Sequence, residues 1–570
     1  MAMPALENNY DLVIVGSGGG SMCAALEAKR LGRRPVILEK QAKVGGSTAF
    51  SGGVWWIPNN PLMAREGVAD SFEKAKQYFD AVVTYKGPAV TAARRDAFLQ
   101  TGPEMIGFLE RRGMKLYRPE GWSDYYDELP GGEPRSRSLM ASRFDLNELR
   151  EWAPRLQTYA PGLAAPIGSN EFTTLFLMKR TLAGKAKLLK LIGVTVWGKL
   201  TGKRLVSNGH AIQGRMLQIA LREQIPIFPD TPVTDFIVEN GRVCGVTVQR
   251  DGRSVQVRAS DGVLINSGGF SRNGAMRQQY GRTPIAGDWT NANPGDTGEM
   301  IEAMMRLGAG TDCLDTAWWV VTSRNTDGTW PEGAVMPDGT VFPFMHHLDL
   351  SFPYSIMVDQ TGERFCDEAG AYMEIGERMY QRHQQTGKAI PAWVIFDARQ
   401  RRYYHWGSAL PGTTPQSWLD SGYMKQAATL DQLCGICGID AAGLRRTVER
   451  FNGFCQTGVD ADFKRGGRAF DRAHGDPRVK PNPNLGPIEQ APFYAVAIYP
   501  GDVGTAGGVL TDEHARVLRS DGTAVEGLYA TGNCTASVFG RCYPGAGASI
   551  GASFVFGYLA ARHAAARTSA

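Results

Sequence analysis

The run Asp11-Leu-Val-Ile-Val15 followed by Gly16-Ser17-Gly18-Gly19-Gly20-Ser21 restricts the fold of this chain more than any other feature. A short apolar, β-rich stretch ends in a glycine turn, and Met22 to Leu31 continues with helical composition and spacing. A second strand, Pro35-Val-Ile-Leu38, ends at Glu39. In such a βαβ unit the helix turns its N-terminal amides toward a phosphate, and the acid that closes the second strand holds a ribose hydroxyl. The glycine spacing alone arises by chance. Here it follows a strand, opens a helix and has its acid roughly 20 residues on, which is the context a dinucleotide site requires. Ser21 stands at the third glycine position, a change that tight helix–sheet packing tolerates, and glutamate at position 39 disfavours a 2′-phosphate. The expected cradle is therefore Gly16, Ser17, Gly18, Gly19, Gly20 and Glu39.

At 570 residues the chain is too long for one ordinary hydrophobic core. Its 69 glycines follow no collagen-like period and belong to tight turns where backbone meets a ligand. Gly262 to Phe270 and Gly527 to Gly532 each read as a strand running into a glycine turn, like the first strand. They are expected to join the same sheet, which makes the nucleotide domain discontinuous: residues 1–321 and 500–570. Between them, 322–499 holds aromatic-rich loops, a Gly/Asp/Pro-rich stretch and two helical patterns, as an inserted α+β substrate domain would.

Just after Glu39 comes a second glycine cluster, Gly45-Gly46-Ser47-Thr48 and Ser51-Gly52-Gly53, suited to bring amides to a pyrophosphate and a flavin. With Gly532-Asn533 and Gly547 to Gly551 it resembles flavoproteins of the fumarate reductase and succinate dehydrogenase superfamily, over nearly the whole chain. The resemblance implies an α/β fold with a Rossmann-like FAD-binding domain. It adds Gly46, Ser47, Thr48, Gly52, Gly53, Gly268, Gly532, Asn533, Ser549 and Ile550 to the cofactor site. No histidine lies between Ser47 and Gly53, where covalent members attach flavin, so the FAD is expected to be noncovalent.

Dicarboxylate-reducing members clamp their substrates with arginine and histidine clusters, because two carboxylates need bidentate cationic partners. This chain offers tyrosines. Gly540-Arg-Cys-Tyr543-Pro-Gly-Ala-Gly547, the Tyr125-Tyr126-Asp-Glu-Leu-Pro-Gly-Gly string and Asp367-Glu-Ala-Gly-Ala-Tyr372 resemble the 3-ketosteroid Δ1-dehydrogenases. That resemblance gives the Tyr543 hydroxyl and the Gly547 amide the C3 carbonyl, gives Tyr372 the C2 proton, and gives Tyr125, or its neighbour Tyr126, the role of assisting that base. It implies transfer of the C1 hydride to flavin N5, a 3-ketosteroid substrate and a separate electron acceptor, of quinone type or another. The chemistry is reasonable on its own terms. Removing a proton beside a ketone builds charge on oxygen, and neutral donors aimed there stabilise it by about 3–4 kcal/mol each. A 3-keto-5α-steroid 4-dehydrogenase shares this logic but carries serine where this chain has Gly545, and a fumarate reductase-like reading lacks its carboxylate clamps.

Other features narrow the partners. A net charge of +5 from 62 basic and 57 acidic residues gives no footprint for nucleic acid. The nine cysteines form no framework; Cys434 and Cys437 make the one CxxC, without the second pair a zinc site needs, and the eight histidines show no metal spacing. His346 and His347 are adjacent, so their rings diverge on a strand. Arg364, Asp367 and Glu368 read as an ion-pair scaffold. The start, Met1 to Tyr10, has neither a charged segment nor an apolar signal core, and no apolar run of membrane-spanning length follows, so a cytoplasmic location is expected. The basic, apolar segment 172–204 is expected to be a solvated helix packing its apolar side on the domain, with a lid or peripheral contact to an anionic membrane as the other reading.

Overall fold

The computed structural model describes residues 5–158 and 166–567. It opens with β1 (Asn9–Val15), α1 (Gly19–Arg30) and β2 (Pro35–Leu38). All of β2 and the last four residues of β1 are buried, which is why both read as unbroken apolar runs rather than alternating ones. Farther along come α2 (Leu182–Leu200), β3 (Ile227–Phe228), β4 (Val233–Glu239), β5 (Arg242–Arg250) and β6 (Arg253–Ile265). β6 lies parallel beside β1, with Val13 opposite Val263 and Val15 opposite Ile265. β2 and then β3 continue the parallel sheet on the other side, while β5 pairs antiparallel with β6 and β4 antiparallel with β5.

A second, antiparallel sheet is built from β7 (Val321–Ser323), β8 (Phe344–His346), β9 (Ser355–Val358), β10 (Ala392–Phe396), β11 (Met424–Ala427) and β12 (Phe493–Tyr499). α3 (Tyr372–Thr386) is carried between β9 and β10. The chain then returns to the first sheet through β13 (Arg516–Leu518) and β14 (Ala524–Ala530) and ends the described part in α4 (Ala548–Arg567). β14 lies parallel beside β6, Leu264 opposite Tyr529, although the entire second sheet intervenes in sequence. The α/β class and the split Rossmann-like sheet expected above are thus present, in the order β13-β14-β6-β1-β2-β3.

The glycine turn does two jobs. Gly16 has φ +93, and a Cβ there would lie 2.3 Å from the Asn266 carbonyl oxygen, so only glycine passes close against β6. Gly19 and Gly20, expected to touch the cofactor, also let α1 press against α4. A Cβ on Gly19 would lie 1.9 Å from the Phe554 ring, and one on Gly20 2.5 Å from the Ser553 carbonyl oxygen. The Ser21 hydroxyl is 3.0 Å from the Asn266 side-chain amide, which shows how serine replaces the third glycine.

The structure also corrects the packing expected of segment 172–204. α2 leaves Leu182, Leu189, Ile192, Val196, Trp197 and Leu200 exposed, Leu182 and Leu200 at 82% each, and buries only Gly184 and Gly198. Hydrophobic content reports that a helix has apolar surface, not that a partner lies beneath it. Among the described residues no helix is long and apolar enough to cross a membrane.

Candidate active site

One cavity of about 1000 Å³ runs from Glu39 and Gly16 to Gly18, past Gly46 to Gly53, Gly268, Gly532 and Asn533, to Tyr125, Tyr372, Tyr543 and Gly547. Ordinary small-molecule sites occupy about 300–1,000 Å³. This one, at the upper end, suits a cofactor together with a substrate.

At the dinucleotide end Gly18 precedes α1 without a side-chain cap of its own and the first turn holds no acid, which suits a phosphate; the Gly19 amide donates to Thr48 Oγ1 at 3.1 Å. The Ser17 amide and hydroxyl donate to Glu39 Oε2 at 3.0 and 2.6 Å, and the Gln41 amide donates to Oε1 at 2.9 Å. These donors fix the carboxylate against burial, which pushes its pKa up. Gly46 follows Gly45 (φ +120) at the start of a short helix, Gly46–Phe50, and Gly53 (φ +72) would put a Cβ 2.2 Å from the Asn208 backbone. This glycine-lined cradle, open to an uncapped helix end and closed by a fixed acid, fits an FAD pyrophosphate and ribose. Ser549 and Ile550, in the first turn of α4, border the same space.

The sequence reading missed Asn293 and Asp296, which also line the cavity. Ser47 Oγ donates to Asp296 Oδ2 at 2.9 Å, and burial pushes that carboxyl up to about 7. Its signal was the string Asn293-Pro-Gly-Asp-Thr-Gly298 ahead of a helix, a turn with Gly298 at φ +83.

At the other end three tyrosines from distant segments converge. Ring centroids are 5.8 Å apart for Tyr125 and Tyr372, 5.9 Å for Tyr125 and Tyr543, and 5.5 Å for Tyr372 and Tyr543. Tyr372 is the first residue of α3; the Tyr543 hydroxyl lies 3.1 Å from Ser549 Oγ. Tyr125 rather than Tyr126 joins the group, because Tyr126 packs beneath the Arg468 guanidinium, 4.9 Å away. Burial pushes Tyr125 and Tyr372 well above the ordinary phenol value, and the neighbouring Tyr543 and Tyr125 raise Tyr372 further.

A buried network holds this arrangement. The Tyr125 amide donates to the Pro544 carbonyl at 3.1 Å, as does the Tyr78 hydroxyl at 2.6 Å. Asp124 pairs its backbone with Gly545 and accepts from Trp56 Nε1 at 2.7 Å and Arg137 Nη1 at 2.6 Å. Desolvation raises Asp124 to about 6 against the pull of Arg137. Gly547 has φ +88, and a Cβ there would meet the Val54 carbonyl oxygen at 2.0 Å, so its amide is held by packing that admits no side chain. On the sequence before α3, Arg364 pairs with Glu368 at 2.7 Å and Asp460 at 2.9 Å, a scaffold rather than a lining group. Trp122, Trp318, Val320, Met345 and Leu348 supply apolar wall. His347, missed from sequence, also borders the cavity, 5.6 Å ring to ring from Tyr372.

The profile of the FAD binding domain family matches residues 11–550. A 3-oxosteroid 1-dehydrogenase from Mycolicibacterium smegmatis is 41% identical, over 98% of this chain and 98% of that one. The chain belongs to the 3-oxosteroid 1-dehydrogenase family. It is an FAD-dependent oxidoreductase. The 3-ketosteroid delta1-dehydrogenase from Sterolibacterium denitrificans, solved in complex with 1,4-androstadiene-3,17-dione, superposes with TM-score 0.91 at 36% identity, over 98% of this chain and 100% of that one. The 3-ketosteroid-delta4-(5alpha)-dehydrogenase from Rhodococcus jostii RHA1 gives TM-score 0.63 at 19% identity, over 99% and 98%, which shows a shared fold. In this 3-oxosteroid 1-dehydrogenase family member a Cβ on Gly545 would lie 2.4 Å from the Trp56 indole, so a serine at this position has no room unless Trp56 moves.

Proposed function

We propose that this chain removes the C1 and C2 hydrogens of a 3-ketosteroid, leaving a 1,2 double bond, with noncovalent FAD as cofactor. The observation that carries the reading is the convergence of Tyr125, Tyr372 and Tyr543 at one end of the cavity that holds the glycine cradle at its other. In this reading the Tyr543 hydroxyl and the Gly547 amide bind the C3 oxygen and stabilise its charge as Tyr372 takes the C2 proton, with Tyr125 supporting Tyr372. FAD supplies the acceptor for the hydride that leaves C1. The apolar walls orient a rigid ring system and exclude water from the tyrosines. Residues 322–499 form the substrate unit inserted into a cofactor unit of 1–321 and 500–570, but Tyr125, Tyr543 and Gly547 come from the cofactor part, so the reaction takes place between the two.

Anaerobic mixing with an androst-4-ene-3-one tests this. Bleaching of the flavin and a 1,4-diene-3-one ultraviolet spectrum are expected; no bleaching by any 3-ketosteroid, or a new double bond at 4,5 from a 5α-saturated substrate, overturns it.

The exposed face of α2 supports a second element of the reading: residence in the cytoplasm with α2 lying on an anionic membrane surface, and a quinone-type acceptor drawn from that membrane. Leu189, Ile192, Val196 and Trp197 offer apolar area, and Lys185, Lys190 and Lys199 stand exposed among them.

A further inference from the structure

In the proposed reaction Tyr372 has to lose a proton before it can take one. Its phenol sits well above the ordinary value, so at neutral pH it is protonated and no base by itself. Tyr125 offers no exit, because its hydroxyl is fully buried and faces Tyr372. The Tyr543 hydroxyl meets Ser549 Oγ. The acids bordering the cavity, Glu39, Asp296, Glu299 and Glu302, belong to the dinucleotide end, where Asp296 accepts from Ser47 and Glu299 pairs with Lys40.

His347 stands beside the tyrosines instead. Its position follows from strand alternation at the end of β8. His346 turns into the core, its Nδ1 2.7 Å from Asp349 Oδ2 and its Nε2 2.7 Å from Ser323 Oγ, and stacks on Trp406. His347 therefore faces the cavity, edge to face with Tyr372 at 71° and 5.6 Å. Burial holds its imidazole down to about 4, so the ring rests neutral and is a weaker base than free imidazole, which the Asp349 carboxylate offsets in part by favouring the charged form. The other groups that face it, His405 and His474, are held down to about 4 by burial and stay neutral, and His346 is engaged by Asp349 and Ser323.

We propose that His347 accepts the phenolic proton of Tyr372, across one water, as Tyr372 takes the proton from C2. The C2–H bond breaks and its electron pair enters the enolate. That proton goes to Tyr372 Oη, and the proton already on Oη passes through the water to an imidazole nitrogen. The imidazolium, facing Asp349, returns it to water that fills the cavity after product leaves. The proposal rests on the dehydrogenase reading above.

Stopped-flow flavin bleaching by a 3-ketosteroid, from about pH 6 to pH 10, compares wild type with His347→Ala and His347→Gln, each checked for FAD content and steroid affinity. Both variants are expected to bind FAD and steroid as wild type does and to bleach about a hundredfold more slowly, the size of a lost proton-transfer partner. Their rates should climb with pH where wild type is flat, and free imidazole should restore His347→Ala. A wild-type rate and profile in the variants overturns the proposal. So does slowing by one factor at every pH without imidazole rescue, or loss of FAD or steroid binding in both variants, because either outcome makes His347 a packing residue. If wild type itself is not bleached, the dehydrogenase reading fails, a result separate from any of these.

Discussion

The Tyr543 hydroxyl and the Gly547 amide bear on one oxygen in the proposed reaction, while the pyrophosphate cradle lies at the far end of the cavity, so loss of one donor should slow chemistry without releasing cofactor. Tyr543→Phe is expected to retain FAD and to lower the bleaching rate about a hundred- to a thousandfold, the loss typical of one oxyanion donor. Released FAD, or an unchanged rate in the stopped flow, would remove Tyr543 from that role. Asp296 sets a different dependence. Burial raises its folded pKa from 3.8 to about 7, so the folded chain binds this proton more tightly than the unfolded chain does. Its contribution to stability is complete below about pH 4 and is lost as pH rises through about 7. Asp296→Asn is expected to flatten the fall in melting temperature between those limits; parallel curves for the two proteins would show that Asp296 does not titrate there. Neither Asp296 nor His347 stood out in the sequence. The first sits in a turn string that many loops share, and the second is one of an adjacent pair whose sidedness is decided by the Asp349 and Ser323 contacts of its neighbour.

At the scale of elements, the turn between β1 and α1 was legible because its meaning is local: strand, glycines, helix and a closing acid within one βαβ unit. What the local string did not contain was α4, which packs against α1 and gives Gly19 and Gly20 a packing reason of their own to lack a side chain. The two kinds of glycine should therefore fail differently. Gly16→Val is expected to lose FAD readily, because the turn that presents the α1 amides cannot form. Gly19→Val should instead wedge α1 from the Phe554 ring and destabilise the whole fold, by about 1–3 kcal/mol or more. Flavin absorbance per chain and thermal melting, measured together, separate the two; a Gly19→Val protein as stable as wild type would contradict the packing. α2 was misjudged for the converse reason. Its sequence shows apolar surface, but whether a neighbour covers it depends on the fold of everything else.

Across the whole molecule, Tyr125, Tyr372 and Tyr543 lie so far apart in sequence that no spacing argument joins them, and only their resemblance to a known set of motifs brought them together before the structure did. The membrane contact proposed for α2 belongs to this scale too. Wild type is expected to sediment with vesicles containing phosphatidylserine. Replacing Lys185, Lys190 and Lys199 with glutamine should weaken that association about a hundredfold, at about 1 kcal/mol per charge near an anionic surface, with turnover of dissolved steroid unchanged. Equal sedimentation of both proteins would leave α2 without this role. The split sheet has a consequence for synthesis. β1 and β6 are made early, but β14 closes against β6, and Ser549 and Ser553 complete the cavity wall, only after the second sheet has been translated. At about 5–20 residues per second the first half of the cofactor site waits tens of seconds on the ribosome for its missing wall. Every strand of the antiparallel sheet is translated before β14, so the cofactor cradle is the part of the molecule whose wall is supplied last.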